Sequence, residues 1–250
     1  MIRAINTTPK AHQIEFEPGQ WTGYPGSKGA SGVAERIVSI LAAHDVFISA
    51  YLGHCAVLRK KRPAKLDLGI DADPLVIDRW RRQGSSSVTL LQEDCLAWLR
   101  SHAAQFDERV LIYFDPPYLL ESRTAGQRLY GREMFTVNQH RQFLQLATNL
   151  RCRVLVSHYE HPLYMKKLRG WHVERIVSST RRGPRMELVF ANYDPTTVAL
   201  HDVRFLGNNY RERELIKKLK GRWAKRFAAM SPNRRQAVRE ALDEAEQRHL

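Results

Sequence analysis

Four consecutive residues, Asp115-Pro116-Pro117-Tyr118, place the sharpest chemical constraint on this 250-residue chain. They follow an apolar run, Arg109–Phe114, that reads as a buried strand. Two consecutive prolines cannot donate to a sheet ladder, so the strand must stop there. Asp115 can accept one hydrogen bond from an exocyclic amine on a planar base, and the Pro116 carbonyl can accept the other. Two acceptors around one nitrogen favour tetrahedral character and localise its lone pair, which makes the amine nucleophilic. The prolines stiffen the loop and remove competing donors, while Tyr118 can stack on the base, a contact of ~1–3 kcal/mol. The bland reading is a turn that closes a strand. Acidic residues at the ends of two other apolar runs, Asp71 and Asp94, favour the chemical one.

The elements that must position this tetrapeptide follow from an alternating pattern. Apolar runs at Val46–Tyr51, Lys65–Ile70, Ser87–Leu91 and Arg153–His158 read as strands. Helical patterns lie between and after them at Pro74–Arg82, Cys95–His102, Val137–Leu150 and Pro162–Leu168. An earlier helical face carries Val33, Ile37, Ile40 and Leu41, behind an irregular arm (1–23) and a turn-rich loop, Tyr24-Pro25-Gly26-Ser27-Lys28-Gly29. His172–Ser178 and Met186–Tyr193 flank Arg181-Arg182-Gly183-Pro184 and read as a terminal antiparallel hairpin. Strands alternating with helices predict an α/β fold, a doubly wound, mostly parallel sheet covered on both faces. In such a sheet ligands gather outside the carboxyl ends of the strands, which is where the tetrapeptide falls. Residues 119–136 are polar and read as a loop or hairpin over the site. The expected division is a domain at 1–200 and a basic helical tail at 201–250, whose last helix starts at Ser231-Pro232.

Composition narrows the partners. Forty Lys and Arg against 26 Asp and Glu give +14, which favours a polyanion, nucleic acid before a membrane surface. The excess concentrates between Arg211 and Arg235, where ten basic residues face two acidic ones. Lys217, Lys218, Lys220, Arg222, Lys225 and Arg226, interleaved with Tyr210, Trp223 and Phe227, are expected to contact phosphates with steep salt dependence. Cys55, Cys95 and Cys152 form no CxxC and are odd in number, which excludes a disulfide framework and predicts a reducing cytoplasm. No apolar signal core opens the chain, and no run approaches the ~18 apolar residues of a membrane span. His54, His158 and His161 have no metal-ligand spacing, so no metal is expected.

With these residues in place, the chain resembles the Dam-like class of DNA adenine N6-methylases, especially compact phage and prophage members. The likeness runs from about Tyr24 through Asp194. It rests on the Tyr24–Gly29 loop, on Gly69-Ile70-Asp71-Ala72-Asp73-Pro74 and on the Asp-Pro-Pro-Tyr motif. Val156-Ser157-His158-Tyr159 and the closing strand Met186-Glu187-Leu188-Val189-Phe190-Ala191-Asn192-Tyr193 add weaker matches. The resemblance implies a Rossmann-like methyltransferase that moves a methyl group from S-adenosylmethionine to an adenine N6 in DNA, in a bacterial host cytoplasm if phage-encoded. It makes Asp115, Pro116, Pro117 and Tyr118 the catalytic motif. It also implies cofactor contacts from Tyr24, Lys28, Tyr51, Gly53, Asp71, Asp94 and Cys95. Asp71 would hold the ribose, Asp94 and Cys95 the cofactor's adenine, and Lys28 would lie near both cofactor and target base. Asp71 and Asp94 read equally as helix caps, although Asp73 fits the first cap better.

The first strand departs from the family pattern of an acid, Pro, Phe and a Gly-rich turn. Here the run is Ser49-Ala50-Tyr51-Leu52-Gly53-His54-Cys55-Ala56. Ser49 replaces the carboxylate, Cys55 replaces a glycine, and Tyr51 stands in for the aromatic. Weakened cofactor binding is the mild consequence and loss of catalysis the severe one. Gly53 and Asp115 are 62 positions apart, an interval too short for a separate target-recognition domain. Relaxed or short-site specificity is therefore expected. Adenine in RNA, N4 of cytosine, and an inactive nucleic-acid-binding relative are the alternatives. A base within a duplex is out of reach, so it must be flipped out or presented on a single strand.

Overall fold

The computed structural model describes residue 28 and residues 32–84, 87–119, 136–180, 183–207 and 209–248. The expected irregular arm, Tyr24 and residues 120–135 of the expected cover lie outside the described residues. Two compact units divide the chain, Met1–Val203 and Arg204–Leu250.

The first unit is built on a seven-stranded sheet. Its strands are β1 (Val46–Ala50), β2 (Leu66–Asp71), β3 (Val88–Gln92), β4 (Val110–Phe114), β5 (Arg153–Tyr159), β6 (His172–Thr180) and β7 (Gly183–Ala191). They lie in the order β3-β2-β1-β4-β5-β7-β6. The first five run parallel, and β7 inserts antiparallel between β5 and β6. The helices are α1 (Val33–Val38), α2 (Ala56–Lys60), α3 (Pro74–Arg82), α4 (Cys95–His102), α5 (Val137–Asn149) and α6 (Pro162–Lys167). This is the expected doubly wound, mostly parallel α/β architecture with a terminal antiparallel hairpin.

Burial explains why β4 holds the centre. All five of its residues are buried, and full burial of a large apolar side chain contributes ~1.5–3 kcal/mol. Phe114 packs edge-on to Phe143 of α5 at 4.9 Å between ring centroids, so the strand end that leads into Asp115 is anchored from the helix layer. Local signals set the helix starts. Asp73 caps α3 by accepting from Leu75 N at 2.9 Å, with Pro74 in the first turn. Thr136 and Gln139 form a reciprocal capping box on α5.

Two boundaries differ from the sequence reading. α1 stops at Val38, because Ser39 turns its hydroxyl onto Arg36 O at 2.7 Å and Leu41 N donates to Val38 O at 3.3 Å in a tight final turn. Ile40 and Leu41 are buried from that turn rather than from the helix. The hairpin is longer than its apolar segments suggest, since Ser179↔Pro184 and Thr180↔Gly183 continue the pairing.

The second unit contains α7 (Tyr210–Ala228) and α8 (Pro232–Arg248). Asn209 starts α7 by accepting from Glu212 N at 2.9 Å. Arg235 Nε donates to Met230 O at 2.9 Å across the turn between the two helices.

Candidate active site

Parallel strands bring their carboxyl ends to one edge, and the strand order decides which ends are neighbours. β1 lies between β2 and β4, so the chain reverses its direction of winding there and leaves a crevice between the loops after β1 and β4. Ala50 pairs with both Ile70 and Phe114. The Tyr51–Cys55 loop therefore emerges between Asp71 on one side and Asp115 on the other. β7 runs the other way, so its early residues reach the same edge, with Glu187 opposite Tyr159.

Four polar side chains converge at the end of β4. Lys28 Nζ donates to Asp115 Oδ1 and Oδ2, both at 2.6 Å, and to the Tyr118 hydroxyl at 2.8 Å. It also lies 3.0 Å from Glu187 Oε1. The Tyr118 hydroxyl is 2.5 Å from Glu187 Oε1 and 3.1 Å from Asp115 Oδ1. Its single proton is best placed on the shorter contact. Burial pushes the Asp115 carboxyl above its usual range; the Lys28 charge opposes this and the Glu187 charge adds to it. Burial alone would lower the Lys28 ammonium, but the Asp115 and Glu187 charges outweigh it and hold the pKa well above normal. The cluster is thus one buried cation between two carboxylates, Glu187 buried and Asp115 partly open to solvent.

The exit from the motif is fixed by a neutral histidine. His158 Nδ1 lies 2.7 Å from Tyr159 O, and Leu119 N donates to His158 Nε2 at 3.3 Å. Those bonds together assign the proton to Nδ1. Burial holds this imidazole down at about 3, and its ring stacks on Tyr164 at 3.9 Å. Tyr118 sits edge-on to Tyr159 at 4.6 Å, and Arg185 covers the Tyr159 ring at 4.9 Å.

The remaining anticipated residues form a second group on the β1 and β2 side. Asp71 accepts from Gly53 N at 2.8 Å and Asp73 N at 2.9 Å, tying the β1 loop to the end of β2. Trp80 Nε1 donates to Gly53 O at 2.8 Å. Tyr51 has φ of 59°, the left-handed region that costs a non-glycine residue about 1–2 kcal/mol. Its phenol lies beside the Cys95 thiol, and its ring stands edge-on to Phe143 at 6.2 Å. Asp94 caps α4 through Ala97 N at 2.8 Å, so its cap reading is realised in the geometry. Ser49 is buried beside the Cys55 thiol, which accepts from Leu58 N at 3.4 Å. The structure thus joins Lys28 to Asp115 and Tyr118, Gly53 to Asp71, and Tyr51 to Cys95.

Glu187 is the residue that sequence reasoning passed over. It stands in the weakly matched closing strand, where the neighbouring Leu188, Val189, Phe190 and Ala191 are all buried. A lone carboxylate in such a run was the available signal, since a buried charge requires a partner. Among the described residues no group of three or more His, Cys, Asp or Glu could hold a metal ion. The six expected phosphate-contacting residues all lie on α7 and are exposed.

The strand order defines the class as a Rossmann-like, doubly wound α/β fold. Residues 95–181 match the family model of the D12 class N6 adenine-specific DNA methyltransferases, which bears out the resemblance to Dam-like adenine methylases over that segment. The match takes in α4, β4, the Asp115–Tyr118 turn, α5, β5, α6 and β6; Lys28, Glu187 and the β1 loop lie outside it. No curated protein matches the chain. Among solved structures it is similar to an S-adenosylmethionine-dependent methyltransferase from Agrobacterium tumefaciens, at 12% identity and TM-score 0.39, covering 65% of this chain and 59% of that one. It is also similar to the N-methyltransferase NodS from Bradyrhizobium japonicum, at 13% identity and TM-score 0.41, covering 64% and 93%. A third likeness is to magnesium protoporphyrin IX methyltransferase from Synechocystis, at 13% identity and TM-score 0.37, covering 64% and 74%.

Proposed function

We propose that the first unit transfers a methyl group from S-adenosylmethionine to the N6 amine of adenine in DNA, with relaxed or short-site specificity. The observation that carries this reading is Asp115, a half-buried carboxylate at the end of the central strand, already engaged by an ammonium donor. Lys28 Nζ stands on both Asp115 oxygens at 2.6 Å, where a substrate amine would donate. A site that holds one N–H donor in this way is built to hold another.

The residues on the β1 and β2 side fit the cofactor by their donor set. Asp71 accepts from two backbone N–H groups at the end of β2, and a strand-end carboxylate suits paired hydroxyls. Gly53 offers backbone without a side chain, and Tyr51, Asp94 and Cys95 line the approach to an adenine. When bound, the cofactor supplies an electrophilic methyl on a sulfonium. Asp115 and the Pro116 carbonyl accept from the target amine and aim its lone pair. The new C–N bond would form as the methyl–sulfur bond breaks and its electron pair returns to a neutral thioether, and the Asp115 carboxylate would take the proton that the nitrogen then sheds. Tyr118 would face the base, and Lys28 would stay beside it. The basic residues of α7, in the proposed tail domain at 201–250, would track phosphates.

The second reading is a nucleic-acid-binding relative that has lost catalysis, favoured by Ser49 and Cys55 at positions where the family carries an acid and a glycine. Labelled cofactor incubated with separate DNA and RNA pools, followed by nucleoside analysis, tests both. N6-methyl-2′-deoxyadenosine from the DNA pool is expected. Label confined to RNA would move the substrate, and no heat of cofactor binding at millimolar concentration would favour the inactive relative. Methylation mapping on genomic DNA should return a short or degenerate site; one fixed site longer than about four bases would overturn the specificity reading.

A further inference from the structure

Glu187 lies beyond the family match, and the reaction proposed above gives it no role. It is nonetheless 4% exposed and touches two members of the cluster, with Oε1 at 2.5 Å from the Tyr118 hydroxyl and 3.0 Å from Lys28 Nζ. We infer that Glu187 is a positioning residue: it retains the Lys28 ammonium and the Tyr118 hydroxyl when the target amine takes over Asp115. The inference rests on the proposed methyl transfer and deepens it.

The argument is one of partner exchange. An ammonium has three protons to place. Asp115 takes both of its closest contacts, at 2.6 Å, and a substrate amine cannot donate to Asp115 until Lys28 yields at least one of them. Yielding it into a buried site with no second anion would leave an uncompensated charge, which is strongly unfavourable. Glu187 removes that barrier because it already stands within contact of the ammonium. The exchange becomes a shift of Lys28 between two carboxylates, and no charge is stranded at any stage. Tyr118 is set the same way, since its hydroxyl is closer to Glu187 than to Asp115 by 2.5 Å against 3.1 Å. That arrangement holds the ring and leaves Asp115 as an acceptor for the substrate.

Lys28 from the turn-rich loop, Glu187 from β7 and Tyr118 from the motif act on Asp115, whose charge in turn adds to burial in raising the Tyr113 phenol of β4, the Cys55 thiol ahead of α2 and the Tyr164 phenol of α6. The Lys28 charge also helps to keep His158 of β5 neutral. Of these, Glu187 is the like charge that opposes Asp115 ionisation. Its removal therefore lowers the Asp115 pKa while tightening the grip of Lys28.

The full chain with Glu187→Gln, with Lys28→Met, and with both changes gives the test. KM for nucleic acid and kcat are measured across about pH 5–9, with folding followed by thermal melting. Glu187→Gln should raise KM for nucleic acid roughly tenfold and move the acidic limb of kcat/KM to lower pH, a readout that loss of packing alone would not move. The double variant should lose clearly less than the sum of the two single losses, because part of the Glu187 effect runs through Lys28. An unchanged KM and acidic limb in Glu187→Gln, or additive losses in the double variant, would overturn the inference while the active wild type upholds the function. A wild type that methylates no adenine overturns both together. Should Glu187→Gln fail to fold, Glu187→Asp decides: shortening the carboxylate should raise KM for nucleic acid in a folded chain, and an unchanged KM would overturn the inference.

Discussion

Asp115 works against its surroundings. Burial and the Glu187 charge favour its protonated form, and the Lys28 charge opposes them. The transfer step needs the ionised form, because a protonated carboxyl cannot offer both oxygens as acceptors. Asp115→Ala should therefore abolish transfer, by at least the ~10²–10⁴-fold typical of a lost acid–base group, while the melting temperature stays close to wild type. Retained incorporation of labelled methyl would remove Asp115 from its assigned role. The tetrapeptide was legible because its residue types are improbable in an ordinary strand exit. The cation that complements it was named at Lys28 only through the family likeness. Its contact with Asp115 spans 87 residues, a separation that no local pattern encodes.

At the scale of elements, the β1 loop is the most tightly constrained part of the site. Tyr51 holds a left-handed backbone, Gly53 is tied to Asp71 and Trp80, and Leu52 lies against Gly69. A Cβ at Gly69 would come within 2.8 Å of Leu52 Cδ2, and Leu52 is fully buried, so its side chain has little room to retreat. Gly69→Val should cost about 1–3 kcal/mol by overpacking, read as a fall in denaturant midpoint. It should also weaken cofactor binding by displacing the loop, measured by calorimetry. Unaltered affinity in a destabilised variant would separate the loop from the cofactor. α7 gives a second element-scale expectation. Replacing Lys217, Lys220, Arg222 and Lys225 by Ala should lower DNA affinity and flatten the dependence of log K on log salt by up to about 0.9 per lost phosphate contact. An unchanged slope would show that α7 faces solvent alone.

The whole molecule adds a pH dependence that belongs to its interior. His44 and His158 are buried neutral, each lowered from 6.5 to about 3, mainly by burial. Below their unfolded pKa the unfolded chain binds protons that the folded chain refuses, so stability falls with pH. The loss should begin as pH drops through about 6.5 and continue towards about 3. Denaturant midpoints measured at neutral pH and at about pH 4.5 should differ, with the acidic one lower. Equal midpoints would show that these rings are solvated.

Periodicity, proline placement and residue type determined the alternating α/β order, the strand ends at Asp71 and Asp115, the start of α3 at Asp73, and the basic character of residues 211–235. Each of these depends on neighbours within a few residues, where side-chain chemistry and backbone geometry are coupled directly. Strand order was decided only by tertiary structure, and with it the crevice between β1 and β4. The antiparallel course of β7 then carried Glu187 to the same edge as Asp115. A carboxylate in a core strand says nothing about which distant ammonium it meets; packing of the sheet chooses that partner, because a buried charge must find one.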